Sequence, residues 1–317
     1  MNTTTLRKKL LAFILCVVLV LTSVSLATGI YSSYKGLMEN VEEDLNVIRQ
    51  VSCESLTANI KLLKQQISSV SGMTKGNGVS SKQWLLAQTY YIKLYNYEAL
   101  SIVSANGDVI STDSSLSGKN IADKGYFQSA LQGEVSISSP EHNDEGELKI
   151  YVCAKNASGE VVMATLDGLT FSSFVENITV GETGSLYVND EQGYTVANIN
   201  PDVVTARENA VADSETNPDL QSKAKTLQKM INGETGIDRY RYNGVERICA
   251  YMPLDEIGGW SLAITVPVKE MITSLWTTVI YMGAAAVIAI IFSLIFTVSL
   301  AKRIAIPLVN VTNRMQL

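Results

Sequence analysis

The chain has 317 residues, 46% of them hydrophobic, with a formal net charge of −6 and a mean hydropathy of +0.14. That length holds two or three compact units, and that hydropathy is high for a protein surrounded by water on all sides. The acidic balance argues against nucleic acid as a partner, and a single histidine, His142, leaves little room for histidine-based acid–base work or a zinc site.

Taken in order, residues 1–9 are short and basic (Arg7, Lys8, Lys9), and residues 10–30 are apolar or small with no charge. About 20 such residues suffice for a helix to cross a ~30 Å hydrocarbon core. A cleaved signal peptide, cut near Ser25-Leu26-Ala27, is the competing reading. The run is long for that role and continues to Tyr31 and Tyr34, which suit an interfacial aromatic belt, so an uncleaved anchor is expected. Residues 276–301 have the same character, with Trp276 at one edge. All acidic residues lie between Glu39 and Glu270, whereas Arg7, Lys8, Lys9, Lys302, Arg303 and Arg314 flank the two apolar runs. Positive flanks stay in the cytoplasm. Both termini are therefore expected inside a cell membrane, with residues 31–272 outside it.

Residues 35–70 contain no proline, and Val41, Leu45, Ile48, Leu56, Ile60, Leu63, Ile67 and Val70 fall at helical steps. Such a helix would extend about 50 Å. Its apolar stripe can pack on the modules that follow or on a second copy of itself. The run GMTKGNGVS, residues 72–80, interrupts it, and residues 82–97 read as a second helix whose Trp84, Tyr90, Tyr91 and Tyr95 suit core and rim.

The centre of the chain is residues 104–167. Asn106-Gly107 joins the apolar runs 99–103 and 109–110, a strong hairpin signal. A helical piece at 126–131 stops at Gly133, and strand-like runs follow at 135–138, 148–154 and 160–166. The same order returns downstream. Leu131-Gln132-Gly133-Glu134 answers Ile231-Asn232-Gly233-Glu234, and residues 150–154 answer 247–250. Two tandem α+β modules are expected, at residues 80–178 and 179–270, with antiparallel sheets covered on one face. The second copy carries a longer polar insert, residues 200–219, which reads as a surface loop with room for a short helix. Cys153 and Cys249 fall in two separate strand runs and read as buried thiols; a disulfide between them is the other option. Beyond Lys302-Arg303, the steps Ile304, Leu308, Val311, Met315 form a coiled-coil-like seam.

Walker, HExxH and GxSxG signatures are absent, so a binding role is expected rather than catalysis, with no metal and no cofactor. Polar groups among apolar strand residues are the informative ones. Asp113 ends a strand, Lys124, Tyr126 and Phe127 open the helical piece, Tyr151 lies on the run 148–154, and Asp167 ends the run 160–166. Asp167 is equally suited to capping the following helix. Together these residues offer an aromatic wall, a cation and carboxylates, suited to a small zwitterion, amine or carboxylate.

The layout resembles the sensory half of a methyl-accepting chemotaxis protein with a double Cache ectodomain. The matching stretches are NGDVISTD, DKGYFQSALQGEVSISSP, VGETGSLYVND and GWSLAITVP, and KRIAIPLVNVTNRM is similar to the first helix of a HAMP domain with Pro307 at its proline. The resemblance implies a long helix plus two tandem PAS-like Cache modules, with the membrane-distal copy as ligand site. It also implies a homodimer, and a cytoplasmic signalling domain or kinase complex beyond residue 317. Outputs of the histidine kinase or diguanylate cyclase type share this layout, and a membrane-anchored binding protein without output is the third reading. Members that bind amino acids carry Arg, a spacer and Trp-Tyr on the helix, and Asp after the last strand. Lys124, Tyr126 and Phe127 stand at the first three positions, and Asp167 matches the last. The family's Tyr ahead of its strand-to-loop Asp has no counterpart at residues 140–144, which leaves the ligand class as amine, amino acid or carboxylate.

Overall fold

A computed structural model describes residues 3–74, 82–111 and 116–300. Asp113 and the seam beyond Lys302 lie outside the described residues. The chain divides into two compact units. One contains residues 1–41 and 269–317, and the other is Glu42–Val268.

In the first unit, helix α1 (Thr3–Met73) contributes its first half and helix α8 (Val268–Leu300) most of its length. Their most apolar windows reach mean hydropathies of 2.5 and 2.6 and are not buried by protein, so both helices are long and apolar enough to cross a membrane. They meet closely at Gly29, where a β-carbon would collide with Met282. Ala27, Ile30, Tyr31, Tyr34, Ile272, Leu275, Trp276 and Val279 line an apolar hollow between them.

The second unit holds two six-stranded antiparallel sheets. After α2 (Lys82–Tyr95) come β1 (Ala99–Val103), β2 (Val109–Ser111), α3 (Gly125–Leu131), β3 (Ser136–Ile137), β4 (Glu141–His142), β5 (Leu148–Lys155) and β6 (Val161–Asp167). The strand order is β2-β1-β6-β5-β3, with β4 also on β5. Helix α4 (Thr170–Val175) leads into β7 (Thr179–Val180), β8 (Gly184–Asn189) and β9 (Thr195–Asn198). Next are α5 (Pro201–Thr205), α6 (Ala210–Asp213), a 3₁₀ turn at Pro218–Leu220, α7 (Gln221–Ile231), β10 (Gly236–Tyr242), β11 (Val245–Pro253) and β12 (Ser261–Pro267). The second sheet runs β10-β11-β12-β8-β7, with β9 on β8. With β8, β9, β10, β11 and β12 in the places of β1, β2, β3, β5 and β6, the two sheets share one topology.

The β1–β2 hairpin turns at Gly107, whose φ of +89° favours glycine; an added β-carbon would also sit 2.5 Å from the Ala122 nitrogen. The expected one-sided covering of the sheets is exceeded: β5, β6 and β12 are buried almost along their whole length. The reason is α1. Its buried Leu56, Ile60, Leu63, Ile67 and Val70 form one stripe. Its polar groups bond sheet carbonyls, from Arg49 Nη1 to Gly236 and Tyr251 up to Ser71 Oγ on Lys155 at 2.7 Å. Of the two uses open to the stripe, packing on the modules is the one observed. The opposite faces are covered by α3 and α7. Phe127 and Ala130 pack with Tyr151, Cys153 and Met163, and Leu227 and Met230 pack with Tyr187, Cys249 and Tyr251. The four cysteines are free. Trp84 is buried, whereas Tyr90 is exposed and Tyr91 stacks on Tyr95 at 5.9 Å.

Candidate functional site

The start of α3 places the first site residues. Lys124 is the residue before the helix, in extended backbone (φ −76°, ψ 127°), and its side chain does not cap. It reaches instead to Glu141 on β4, with Nζ 3.0 Å from Oε2 and 3.3 Å from Oε1. The Tyr126 hydroxyl donates to the same Glu141 Oε1 at 3.3 Å. Its ring stacks on Tyr151 with centroids 5.5 Å apart and 19° between planes. Burial, and then the Glu141 charge, push the Tyr126 phenol well above its ordinary pKa, so it stays protonated and remains a donor. Ser136 Oγ holds the Tyr126 carbonyl and fixes the start of the helix over β3.

Lys124, Tyr126 and Glu141 line an open cleft of about 1330 Å³. Lys64 and Ser68 of α1 form another part of its wall, as do residues 134–139, and Glu191, Arg207 and Trp260 of the second module. Typical small-ligand pockets hold ~300–1,000 Å³, so a single small molecule would occupy one wall of this cleft. At the Lys124 wall it would meet a cation, an anion and a neutral phenol hydroxyl within one hydrogen-bonded cluster.

Of the other named residues that the structure describes, Tyr151 touches that cluster, and Phe127 and Asp167 take no part in its hydrogen bonds. Phe127 is 1% exposed and belongs to the core beneath it. Tyr151, 5% exposed, supports the Tyr126 ring. Asp167 is exposed and does not line the cleft; its Oδ1 accepts the Leu169 N–H at 2.8 Å, a turn role just ahead of α4. Two residues escaped sequence reasoning. Glu141 stands in the hydrophilic run PEHNDEG and looks like part of a turn, yet Glu141↔Lys149 pairing makes it a strand residue. Thr165, opposite Tyr151 on β6, has a buried hydroxyl with no hydrogen-bond partner among the described residues. Nothing in the apolar run VVMATL singles it out. No group of three His, Cys, Asp or Glu side chains among the described residues is placed to hold a metal ion.

The Cache domain family matches residues 20–275, and the chain belongs to that family. Solved structures that share the fold include ligand-binding and sensory domains of chemoreceptors. The ligand-binding domain of the amino acid chemoreceptor PctB of Pseudomonas aeruginosa PAO1, in complex with L-Arg, superposes with a TM-score of 0.58 at 14% identity, over 73% of this chain and 97% of that one. The ligand-binding domain of the Pseudomonas fluorescens chemoreceptor CtaA, in complex with L-alanine, gives 0.56 at 13%, over 73% and 98%. The sensory domain of the Campylobacter jejuni chemoreceptor Tlp3 (CcmL), with isoleucine bound, gives 0.53 at 13%, over 75% and 96%. At these identities the likeness establishes the fold. No curated protein matches the sequence.

Proposed function

We propose that this chain is the sensory part of a transmembrane chemoreceptor whose ligand is a small zwitterion of the amino acid class, held at the Lys124–Glu141–Tyr126 wall. The observation that carries this reading is the pairing of a cation and an anion on one wall of an open cleft. A ligand carboxylate would bond Lys124 and a ligand ammonium Glu141, both as charge-assisted hydrogen bonds. The neighbours crystallised with L-Arg, L-alanine and isoleucine support an amino acid over an amine or a simple acid. In this reading residues 10–30 and 276–301 span the membrane, the modules 80–178 and 179–270 lie outside, both termini lie inside, and the receptor works as a homodimer. Tyr151 backs the Tyr126 ring, and Phe127 lies in the core beneath it. The signal passes through α8 and the HAMP-like seam at residues 302–317 to a cytoplasmic signalling partner.

The test is a thermal-shift screen of the full chain in detergent against amino acids, alkylamines and organic acids. A ligand present at 100 times its Kd stabilises the native state by about 2.7 kcal/mol. A shift with at least one amino acid, absent in Lys124→Gln, is the expected result. No shift with any amino acid overturns the reading.

A further inference from the structure

The membrane-proximal module carries a second cluster of the same composition, and here it is shut. Lys223 lies on α7, and its side chain is 8% exposed. Its ammonium contacts Glu208 Oε1 at 2.5 Å, stands 4.0 Å from the centroid of the Tyr242 ring and 5.8 Å from that of Tyr187. Tyr242 donates its hydroxyl to the other oxygen, Glu208 Oε2, at 2.9 Å. Tyr187 is itself fixed, through Tyr240 at 3.4 Å and Cys249 Sγ at 3.6 Å. Burial, and then Glu208, push the Tyr242 phenol up to about 12, and burial raises Tyr187 and Tyr240. The walls therefore stay neutral and protonated while Glu208 supplies the negative charge.

Two aromatic faces and one carboxylate around a single ammonium is the arrangement by which proteins recognise cationic amines. Its parts come from separate elements. Glu208 sits between α5 and α6, in the long polar insert peculiar to the second module, and Thr195 N–H donates to its carbonyl at 2.9 Å. Tyr187 is on β8 and Tyr242 on β10. The ammonium arrives from α7. Since Leu131-Gln132-Gly133-Glu134 answers Ile231-Asn232-Gly233-Glu234, Lys223 answers Asp123, one residue before Lys124. A lysine thus stands near the start of the equivalent helix in both modules, paired with a carboxylate and a tyrosine that come from different elements: Glu141 on β4 and Tyr126 on α3 in one, Glu208 in the insert and Tyr242 on β10 in the other. In the distal module it faces a cleft, with Lys124 41% exposed, and in the proximal module it lies within the helix-to-sheet core.

We propose that Lys223 is a tethered ligand: its ammonium occupies an amine site in the membrane-proximal module and keeps that module closed. The cage of Glu208, Tyr242 and Tyr187 would accept a primary alkylammonium ion once the tether is cut. This does not depend on which molecule the distal cleft takes.

Lys223→Ala removes the atoms of a propylamine. In the full chain in detergent, the substitution lowers the thermal midpoint by about 6–20 °C, from the loss of a buried ion pair in a unit of this size. Millimolar n-propylamine at pH 7.5 restores at least half of that shift and saturates. Isosteric 1-propanol restores none, and the native chain responds to neither. Absence of rescue, equal rescue by 1-propanol, or an equal response of the native chain overturns the proposal. If Lys223→Ala does not fold alone, n-propylamine supplied throughout purification must yield monodisperse folded protein, and continued aggregation overturns the proposal as well. Lys223→Met, which fills the space without charge, gives an independent reading. Its midpoint falls below that of the native chain and is regained by adding Glu208→Gln; a native midpoint for Lys223→Met alone sinks the tethered-ligand assignment.

Discussion

Glu141→Gln separates the ligand-binding role of the distal cluster from a structural one. Lys124 and Tyr126 lie 3.0 and 3.3 Å from the carboxylate oxygens; the amide removes the charge and keeps one of the two acceptors. The Lys124–Glu141 pair is half-exposed, with side chains 41% and 25% accessible, so its loss costs no more than about 1 kcal/mol. For a unit of this size that corresponds to a fall in Tm of at most about 4 °C. A bound zwitterion is affected much more. Its ammonium loses a charge-assisted partner, a change of about 1.5–3 kcal/mol, or roughly 10- to 150-fold in Kd. A ligand with a carboxylate and no ammonium responds in the opposite direction, because Lys124 is released from its counter-ion and the approaching anion no longer meets Glu141. Isothermal titration of the native and Glu141→Gln chains with an amino acid and its des-amino acid therefore reports the ligand class by the sign of the change. An amino acid that binds both chains within twofold would falsify the site assignment.

Further outcomes follow from other parts of the structure. Burial, opposed in smaller part by the Tyr187 hydrogen bond, raises the Cys249 thiol to about 12 from an ordinary value near 9. The native state then keeps a proton that the unfolded chain loses, so this contribution is complete below pH ~9 and is lost as pH rises towards 12, at about 1.4 kcal/mol per pH unit. Urea titrations from pH 8 to 11 should show that fall, and Cys249→Ala should make it shallower. Gly107→Ala should cost more than Gly118→Ala in chemical denaturation. Both have positive φ, worth about 1–2 kcal/mol against an L side chain, but only Gly107 would also press against Ala122, whereas Gly118 faces open space. Ser139 Oγ donates to Asp190 Oδ2 at 2.7 Å and links the two modules. Ser139→Ala should lower stability by about 1–3 kcal/mol and leave distal ligand affinity within twofold, as measured by calorimetric melting and titration.

The fold was legible because its local signals agree with one another. Asn106-Gly107 marks the first hairpin, Gly133 and Gly233 end α3 and α7 in matching positions, and the stripe from Leu56 to Val70 identifies α1. The two-residue strand β4 was not legible. Its pairing with β5 is a tertiary choice that the local sequence, all charges and turn formers, does not encode. With β4 hidden, Glu141 passed for a solvated residue, although it is the partner of both Lys124 and Tyr126. Asp167 shows the opposite limit. A strand-terminal carboxylate serves a turn and a ligand equally well on paper, and here its oxygen is bonded to the Leu169 N–H. Lys223 was missed because a lysine on a predicted helix is expected in water. Only the insert that brings Glu208 over α7 encloses it.

The connections between the clusters bear on how a signal would leave the distal site. Glu141 lies two residues after Ser139, so a ligand that displaces Glu141 from Lys124 acts on a segment already bonded to Asp190. Asp190 directly follows β8, and β8 pairs with β12 from Ser185↔Thr265 to Asn189↔Ser261. Helix α8 begins at Val268, the residue after β12. Proximity alone does not make this a pathway; the ligand must favour one of two arrangements, and it can shift them only by its differential affinity. A proximal module closed around Lys223 bears on that requirement. With its own ammonium in place it needs no second ligand to become ordered, so binding energy from the distal cleft can go into moving the module rather than assembling it. Loosening the cage should then weaken transmission before it weakens binding. In Lys223→Met, distal ligand affinity should stay near the native value while the ligand-induced change at α8, read by a spin label there, becomes smaller. A parallel loss of affinity and transmission would place Lys223 among ordinary stabilising residues.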